Sequence, residues 1–238
     1  KGAFLVAGRS SYAHLFLKLA NNNNSAYFYD LNTKLNYKLD KNNSLFVSGY
    51  FGRDVFSLAG SFTNIYGNAT SNLRWNHLFS DKLFSNLSLI YSDYYYGLQL
   101  DFVGFKYDSG IKNYNLKYDF KNYISDKVKL NYGVNAIYYD FNPGLISPTT
   151  LESGINYRQL DKKYAFEPAI YLEAEHKITD KLELMYGVRY SQFYRLGTST
   201  VNLYQNNEAV TYNNQLKIYE KGIPIGTKFY SNNEVITS

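Results

Sequence analysis

The sequence predicts an all-β chain that forms the wall of a transmembrane antiparallel β-barrel, with about nine to ten long meander strands. Three observations predict it. Apolar and polar residues alternate over stretches of about a dozen residues, where globular strands average ~5–6. The connections between those stretches alternate between short and long, and aromatic residues gather at the stretch ends.

Composition agrees with that class. Tyr (27), Phe (16) and Asn (27) are abundant among the 238 residues, with 45% hydrophobic and 19% charged residues. Disordered chains are poor in aromatics and rich in charge, so disorder is excluded. No window approaches the ~18 consecutive apolar residues of a membrane-spanning helix. With no cysteine present, a disulfide framework, a thiolate zinc site and a cysteine nucleophile are excluded together.

The first strand is expected at residues 3–9. Lys1-Gly2-Ala3-Phe4-Leu5-Val6-Ala7-Gly8-Arg9 lacks the ordered cationic, apolar and cleavage segments of a signal peptide and reads as a strand in progress. The second, 27–39, alternates most clearly. Tyr27, Tyr29, Leu31, Thr33, Leu35, Tyr37 and Leu39 fall on one side, interleaved with Phe28, Asp30, Asn32, Lys34, Asn36 and Lys38. Successive strand side chains point to opposite faces, whereas a 3.6-residue period would mix the two sets. Weaker alternation marks 44–56, 64–78 and 83–96. The sixth strand, 111–123, sets Tyr114, Leu116, Tyr118 and Phe120 against Asn115, Lys117, Asp119 and Lys121. The seventh, 127–140, sets Val128, Leu130, Tyr132, Val134, Ala136 and Tyr138 against Lys129, Asn131, Gly133, Asn135, Ile137 and Tyr139. The eighth and ninth, 166–178 and 182–195, repeat the pattern through Ile170, Leu172 and Ala174, and through Leu184, Tyr186, Val188 and Tyr190.

Short connections carry a common Asp-Lys pair at Asp40-Lys41, Asp81-Lys82, Asp126-Lys127 and Asp180-Lys181. Asp is expected to close each turn on nearby backbone while Lys keeps the tip in water. The long connections, 10–26, 57–63, 97–110, 141–165 and beyond about 196, vary in length and composition. Strand length and one-sided turns favour a barrel whose apolar face meets lipid over a soluble sandwich. Trp75, Phe79 and Phe84 are expected in one interfacial girdle, with Tyr94, Tyr95, Tyr96, Tyr138, Tyr190 and Tyr194 in the other. The polar face, with Asp30, Lys34, Arg74, Lys117, Asp119, Lys121, Glu173, Glu175, Lys177 and Arg189, then lines the lumen as a solvated, mixed-charge wall. Bacterial single-chain barrels carry an even number of strands, so nine predicts an open arc that needs further strands. A tenth strand over residues 215–220, where Leu216 and Ile218 alternate with Lys217 and Tyr219, is the alternative and would close a ten-stranded barrel.

Three segments resemble a known family. They are Gly2-Ala3-Phe4-Leu5-Val6-Ala7-Gly8-Arg9-Ser10-Ser11-Tyr12, then Leu73-Arg74-Trp75-Asn76-His77-Leu78-Phe79-Ser80-Asp81-Lys82-Leu83, and Tyr171-Leu172-Glu173-Ala174-Glu175 with Leu184-Met185-Tyr186-Gly187-Val188-Arg189-Tyr190. The chain is similar to part of a TonB-dependent outer-membrane receptor or transporter of the Bacteroidetes type. The resemblance implies a 22-stranded barrel, of which residues 1–238 supply about the first nine strands. It also implies an N-terminal plug, a TonB-box segment and location in the bacterial outer membrane. Neither plug nor TonB-box pattern occurs in this sequence. The implied activity is import of a nutrient such as a siderophore, glycan or peptide. The implied partners are the TonB complex, reached through the plug, and in some relatives a surface lipoprotein lid.

No residue pattern points to catalysis, a cofactor or a metal. His14, His77 and His176 lack ligand spacing and a nucleophile motif, and Ser48, Ser88 and Ser191 lack a G-x-S-x-G context. The net charge of +5 and pI near 9.0 come from Lys and Arg dispersed along registers and turn tips. That dispersion argues against nucleic acid and suits contact with outer-membrane lipid and lipopolysaccharide. Loop candidates for substrate contact are Tyr94, Tyr95, Tyr96, Gln99 and Asp101, with Tyr157 and Arg158 from a second loop. They place aromatic faces beside hydrogen-bonding groups. Besides the transport protein, two readings stay open: an independent 8–10-stranded barrel acting as adhesin or structural anchor, and an outer-membrane hydrolase.

Overall fold

The structure, a computed structural model, describes residues 1–20 and 23–237. Nine long strands run in sequence: β1 (Gly2–Ser10), β2 (Ser25–Lys38), β3 (Asn43–Leu58), β4 (Phe62–Ser80), β5 (Leu83–Leu100), β6 (Phe105–Tyr123), β7 (Val128–Pro148), β9 (Lys163–Thr179) and β10 (Leu182–Ser191). Each pairs antiparallel with its neighbour along that path. Two short strands, β8 (Arg158–Gln159) and β11 (Tyr194–Leu196), join at β7 and β9. A seven-residue helix, α1 (Ala13–Leu19), interrupts the first long connection.

The registers carry the alternation across the whole sheet. Phe4, Leu35, Val47, Leu73, Leu89, Leu116, Ala136 and Pro168 form one continuous cross-strand row. The adjacent row on the other face reads Leu5, Lys34, Ser48, Asn72, Ile90, Asn115, Ile137 and Glu167. The apolar face covers no interior. Leu89 is 51% exposed and Ile170 59%, while the buried hydrophobic residues among those described are mostly small: Val55, Ala165, Ala169, Ala174, Leu196 and Tyr230. A contiguous apolar surface of this size signals an apolar surrounding. No described helix is long and apolar enough to cross a membrane.

Strands extend further toward the long connections than alternation predicts. β6 starts at Phe105 rather than 111, and β7 continues to Pro148 rather than 140. At ~3.3 Å per residue the 21 residues of β7 extend ~70 Å along their own axis, well beyond the ~9–11 residues of a tilted crossing. Only part of each strand is therefore clad in apolar side chains. On the apolar face of β5, Leu87, Leu89 and Tyr91 give way to Asp93. On β6, Leu116 and Tyr114 give way to Lys112, and on β7 Ala136 and Tyr138 give way to Asp140. Lys112 pairs with Asp93 at 3.5 Å and Lys162 with Asp140 at 3.0 Å. The Asp140 hydrogen bond holds the Lys162 ammonium above its ordinary range.

Rings on the apolar face mark both limits of the apolar band. Beneath the ion pairs Tyr91, Tyr114, Tyr138 and Tyr164 follow one another at centroid spacings of 5.2, 6.4 and 6.2 Å. Toward the short turns, Trp75, His77, Phe79, Phe120 and Tyr132 are linked at 5.3, 4.4, 6.4 and 5.3 Å. This corrects the expected girdles. Tyr94, Tyr96 and Phe84 pair with Ile111, Ser109 and Lys121 on the polar face, because β5 is still a strand there and parity decides the direction. His77 sits in the lower girdle, its Nδ1 2.7 Å from Asn43 Oδ1.

Three further differences have local causes. Asp is the acceptor in only one short turn, where Asp40 Oδ1 receives the Asn42 and Asn43 backbone N–H groups at 2.7 and 2.9 Å. Ser80, Ser125 and Thr179 hydroxyls occupy that role in the others, leaving Asp81, Asp126 and Asp180 at the tips. The ninth long strand stops at Ser191 and resumes as β11. The break faces Pro168, whose carbonyl accepts from Gln192. Backbone N–H and C=O of one strand residue point the same way, so the donor that proline lacks is missing from this edge. Finally, residues 215–220 do not join the large sheet. β14 (Ile218–Lys221) pairs only with β13 (Thr211–Asn213), and β12 (Ser199–Tyr204) pairs with β15 (Pro224–Tyr230). Among the described residues β1 and β10 are not paired with each other, so the ten-stranded closure is absent.

Ile170→Arg, between the two aromatic girdles that limit the apolar band, is expected to lower unfolding free energy in lipid vesicles by about 2–4 kcal/mol. Thr70→Arg on the polar face is expected to change it by under ~1 kcal/mol, both read from urea titrations. The Asp40 carboxyl is held below the usual carboxylate range, first by the Asn43 side-chain amide and then by backbone N–H groups. Its turn is therefore favoured above about pH 4 and loosens as pH falls through the lowered value. Hydrogen exchange at Asn42 and Asn43 should accelerate there, relative to base-level pH correction, in the native chain but not in Asp40→Asn.

Candidate functional site

Parity along each strand selects which side chains share the polar face, and that face is the candidate site. Its half near the short turns is a network of paired charges. Lys129 and Glu175 form an ion pair across β7 and β9. The Asn131 amide donates to both Glu173 and Glu175, each at 2.9 Å, so it separates two carboxylates on one strand. The Tyr171 hydroxyl donates to Asp119, which pairs with Lys117 at 3.1 Å. Lys117 and Arg189 lie 5.7 and 5.6 Å from the Tyr171 ring centroid. Arg189 reaches Asn135 at 3.4 Å, and Asn135 donates to Asn115 at 2.5 Å. At the other edge of the sheet, and toward the long connections, Arg9 of β1 pairs with buried Asp30 of β2 at 2.5 Å.

Tyr171 depends on a glycine. Opposite it stands Gly133, where a Cβ would lie 2.4 Å from the Tyr118 carbonyl and 2.7 Å from the Tyr171 hydroxyl. Only a bare backbone lets the ring lie across β7 toward Asp119. The same arrangement recurs on the other face, where Tyr95 covers Gly67.

Toward the long connections the polar face becomes aromatic. Tyr66 pairs directly with Tyr96, and the Tyr96 and Tyr107 rings lie 6.4 Å apart. Tyr94 stands between Asn68 and Ile111. Tyr139 stacks with Phe141 at 5.5 Å and donates to Glu167 at 3.1 Å. Tyr107 donates to the Pro143 carbonyl at 2.5 Å, so it is held in place. Such a wall offers several π-faces and a few acceptors, including Asp54 opposite Tyr66.

The residues expected as one loop cluster are dispersed. Tyr94, Tyr95, Tyr96 and Gln99 lie within β5, and only Asp101 is beyond it, in a 3-10 turn at Asp101–Val103. Tyr94 and Tyr96 share the polar face, whereas Tyr95 and Gln99 point to the opposite one. Gln99 donates to Asp101 at 2.8 Å. Tyr157 is exposed, and Arg158 pairs with Ile146 on β7. β6 and β7 therefore stand between Arg158 and the β5 tyrosines. Tyr66, Tyr107, Tyr139 and Phe141 complete the aromatic wall and were not singled out by sequence. Counting parity from Asn64 and Asn68 identifies Tyr66, since all three lie on one face.

The chain matches no known family profile and no curated protein. Solved structures give likeness of fold. The ferric-catecholate import receptor Fiu from Escherichia coli K12 superposes with TM-score 0.58 at 13% identity, over 97% of this chain and 42% of that one. The ferric preacinetobactin receptor BauA from Acinetobacter baumannii gives 0.54 at 14% identity, over 73% and 35%. The outer membrane transporter YddB from Escherichia coli gives 0.53 at 13% identity, over 84% and 32%. The nine-strand sheet of this chain has the fold of part of the barrel of these three proteins. It spans roughly a third to two-fifths of the length of these three proteins.

Asn131→Ala is expected to destabilise the wall by about 1–3 kcal/mol, because two carboxylates lose a shared donor. Asn131→Asp is expected to lose more, since it sets a third like charge between them. Urea midpoints of the two variants test the order.

Proposed function

We propose that this chain is an arc of the barrel wall of a TonB-dependent receptor in the bacterial outer membrane that imports a nutrient. Its role is transport rather than catalysis. One observation carries the reading: a nine-strand antiparallel meander with one apolar face, short turns at one end and long connections at the other, which superposes on an import receptor over 97% of its length. Among the described residues the outer edges of β1 and β10 are unpaired, which supports an arc over a small closed barrel, because hydrocarbon offers no partner to unpaired backbone groups. Energy from the TonB complex reaches such a receptor through a plug domain, and a plug seated against the charged half of the inner wall fits this reading. Lipid and lipopolysaccharide surround the outer face, and a surface lipoprotein lid over the long connections is compatible with it.

The substrate is a small siderophore, a glycan or a peptide that presents flat or apolar faces to Tyr66, Tyr94, Tyr96 and Tyr107. Stacking on such rings contributes ~0.5–1.5 kcal/mol each. Asp101, Tyr157 and Arg158 lie nearer the rim, where they meet the substrate on entry, whereas Gln99 faces outward.

In cells that make the full-length protein, it should fractionate with the outer membrane. Uptake of one of those three nutrient classes should stop on deleting either its gene or TonB. Tyr96→Ala should weaken binding of that nutrient by about two- to ten-fold with membrane abundance unchanged. TonB-independent uptake, or none of any class, would sink the reading.

A further inference from the structure

The first long connection holds α1, whose sequence Ala13-His14-Leu15-Phe16-Leu17-Lys18-Leu19 has one charge and no acidic residue. His14 and Leu17, three residues apart, are its half-buried positions. The His14 ring rests 5.2 Å from the Tyr27 ring. Tyr27 shares its face with Tyr29, Leu31 and Leu35, because it pairs with Val55 in the same register. α1 therefore packs on the apolar, outward face of the sheet and not over the lumen. Its remaining large side chains, Tyr12 at the N-cap and Leu15, Phe16 and Leu19, are 66%, 51%, 64% and 82% exposed. Chain continuity fixes the height of the helix: Ser11 donates its backbone N–H to Phe28, one residue from Tyr29. Asn24 ties the return segment to the end of β3 through Ala59 at 3.0 Å.

We propose that α1 is an interfacial helix that seats Tyr12, Leu15, Phe16 and Leu19 in the outer leaflet of the membrane, extending the lipid-contacting surface beyond the strands. The occupant of its exposed face is lipid. That face continues the apolar surface of β1 and β2, where Phe4 and Val6 are also exposed. Lys18 is the sole formal charge over residues 10–26, which suits the anionic phosphates at such a boundary. An apolar helix lying in the interface plane gains by burying its large side chains at the boundary of headgroups and acyl chains. The inference rests on the outward face being lipid-facing, and its test separates the two.

Single cysteines at Phe16, Leu19 and Leu17 are labelled with bimane in the full-length protein, freed of other thiols and reconstituted in phosphatidylcholine and phosphatidylglycerol vesicles. Leu172→Cys, within the apolar band, and Leu151→Cys, in a fully exposed loop, serve as references. Headgroup-nitroxide lipid should quench the Phe16→Cys and Leu19→Cys labels about three-fold or more above Leu151→Cys, with aqueous iodide showing the reverse order. Leu17→Cys, turned toward the sheet, should be quenched less by lipid than its neighbours. Iodide quenching without lipid quenching at Phe16 and Leu19 overturns the proposal, as does quenching by neither, which would mean protein covers the helix. If Leu172→Cys also escapes the lipid quencher, the lipid-facing reading itself fails.

Discussion

Hydrocarbon supplies no hydrogen-bonding partner, so every backbone N–H and C=O that crosses it must be satisfied by the protein itself. The rest of this structure follows from that constraint. Each long strand except the two edges is laddered on both sides, and sequential neighbours pair because short turns return the chain directly. Backbone satisfaction leaves the side chains free to sort by parity alone. Even Pro168, within β9, obeys the rule, since its missing donor is placed where the neighbouring strand breaks.

Sorting by parity gives the two faces opposite tasks. The outward face needs no packing partner, which is why large residues stay exposed and the described interior is small. The inward face is held by charge-assisted bonds that satisfy one another. Asn131 between two glutamates and Tyr171 between two cations and Asp119 are the clearest cases. Charges left in water along one wall gain little singly, but a shared network fixes side-chain positions on which another surface can dock. Further along the same strands the network yields to rings, so one face changes from a positional scaffold to a stacking surface.

Period-two alternation survives in the sequence because neither face tolerates the other's residues. The nine strands and the inward set from Asp30 to Arg189 were therefore legible. What alternation cannot mark is where the bilayer ends, since strand geometry continues past it. The run Tyr94, Tyr95 and Tyr96 looked like a loop or girdle feature for that reason. A strand divides any such run between two faces, and the true girdle of Tyr91, Tyr114, Tyr138 and Tyr164 is assembled from four strands with no local sequence signature. The turns mislead differently. A repeated Asp drew attention, while Ser80, Ser125 and Thr179 one position earlier make the bonds. Tyr157 and Arg158 failed to join the β5 candidates because pairing distance across two intervening strands is invisible in one dimension.

The outward ion pairs above the tyrosines have a mechanical meaning. Lys112 with Asp93 and Lys162 with Asp140 form a waterline on the hull. Sinking the wall by one repeat of the alternation, ~7 Å along a strand, would drag these charges into acyl chains. Raising it by the same amount would lift the tyrosines clear of their interface and strand leucines among headgroups. Both displacements are uphill, so the wall floats at one draught. The aromatic inner surface, built on the same strands at and above that line, is thereby berthed at a set height.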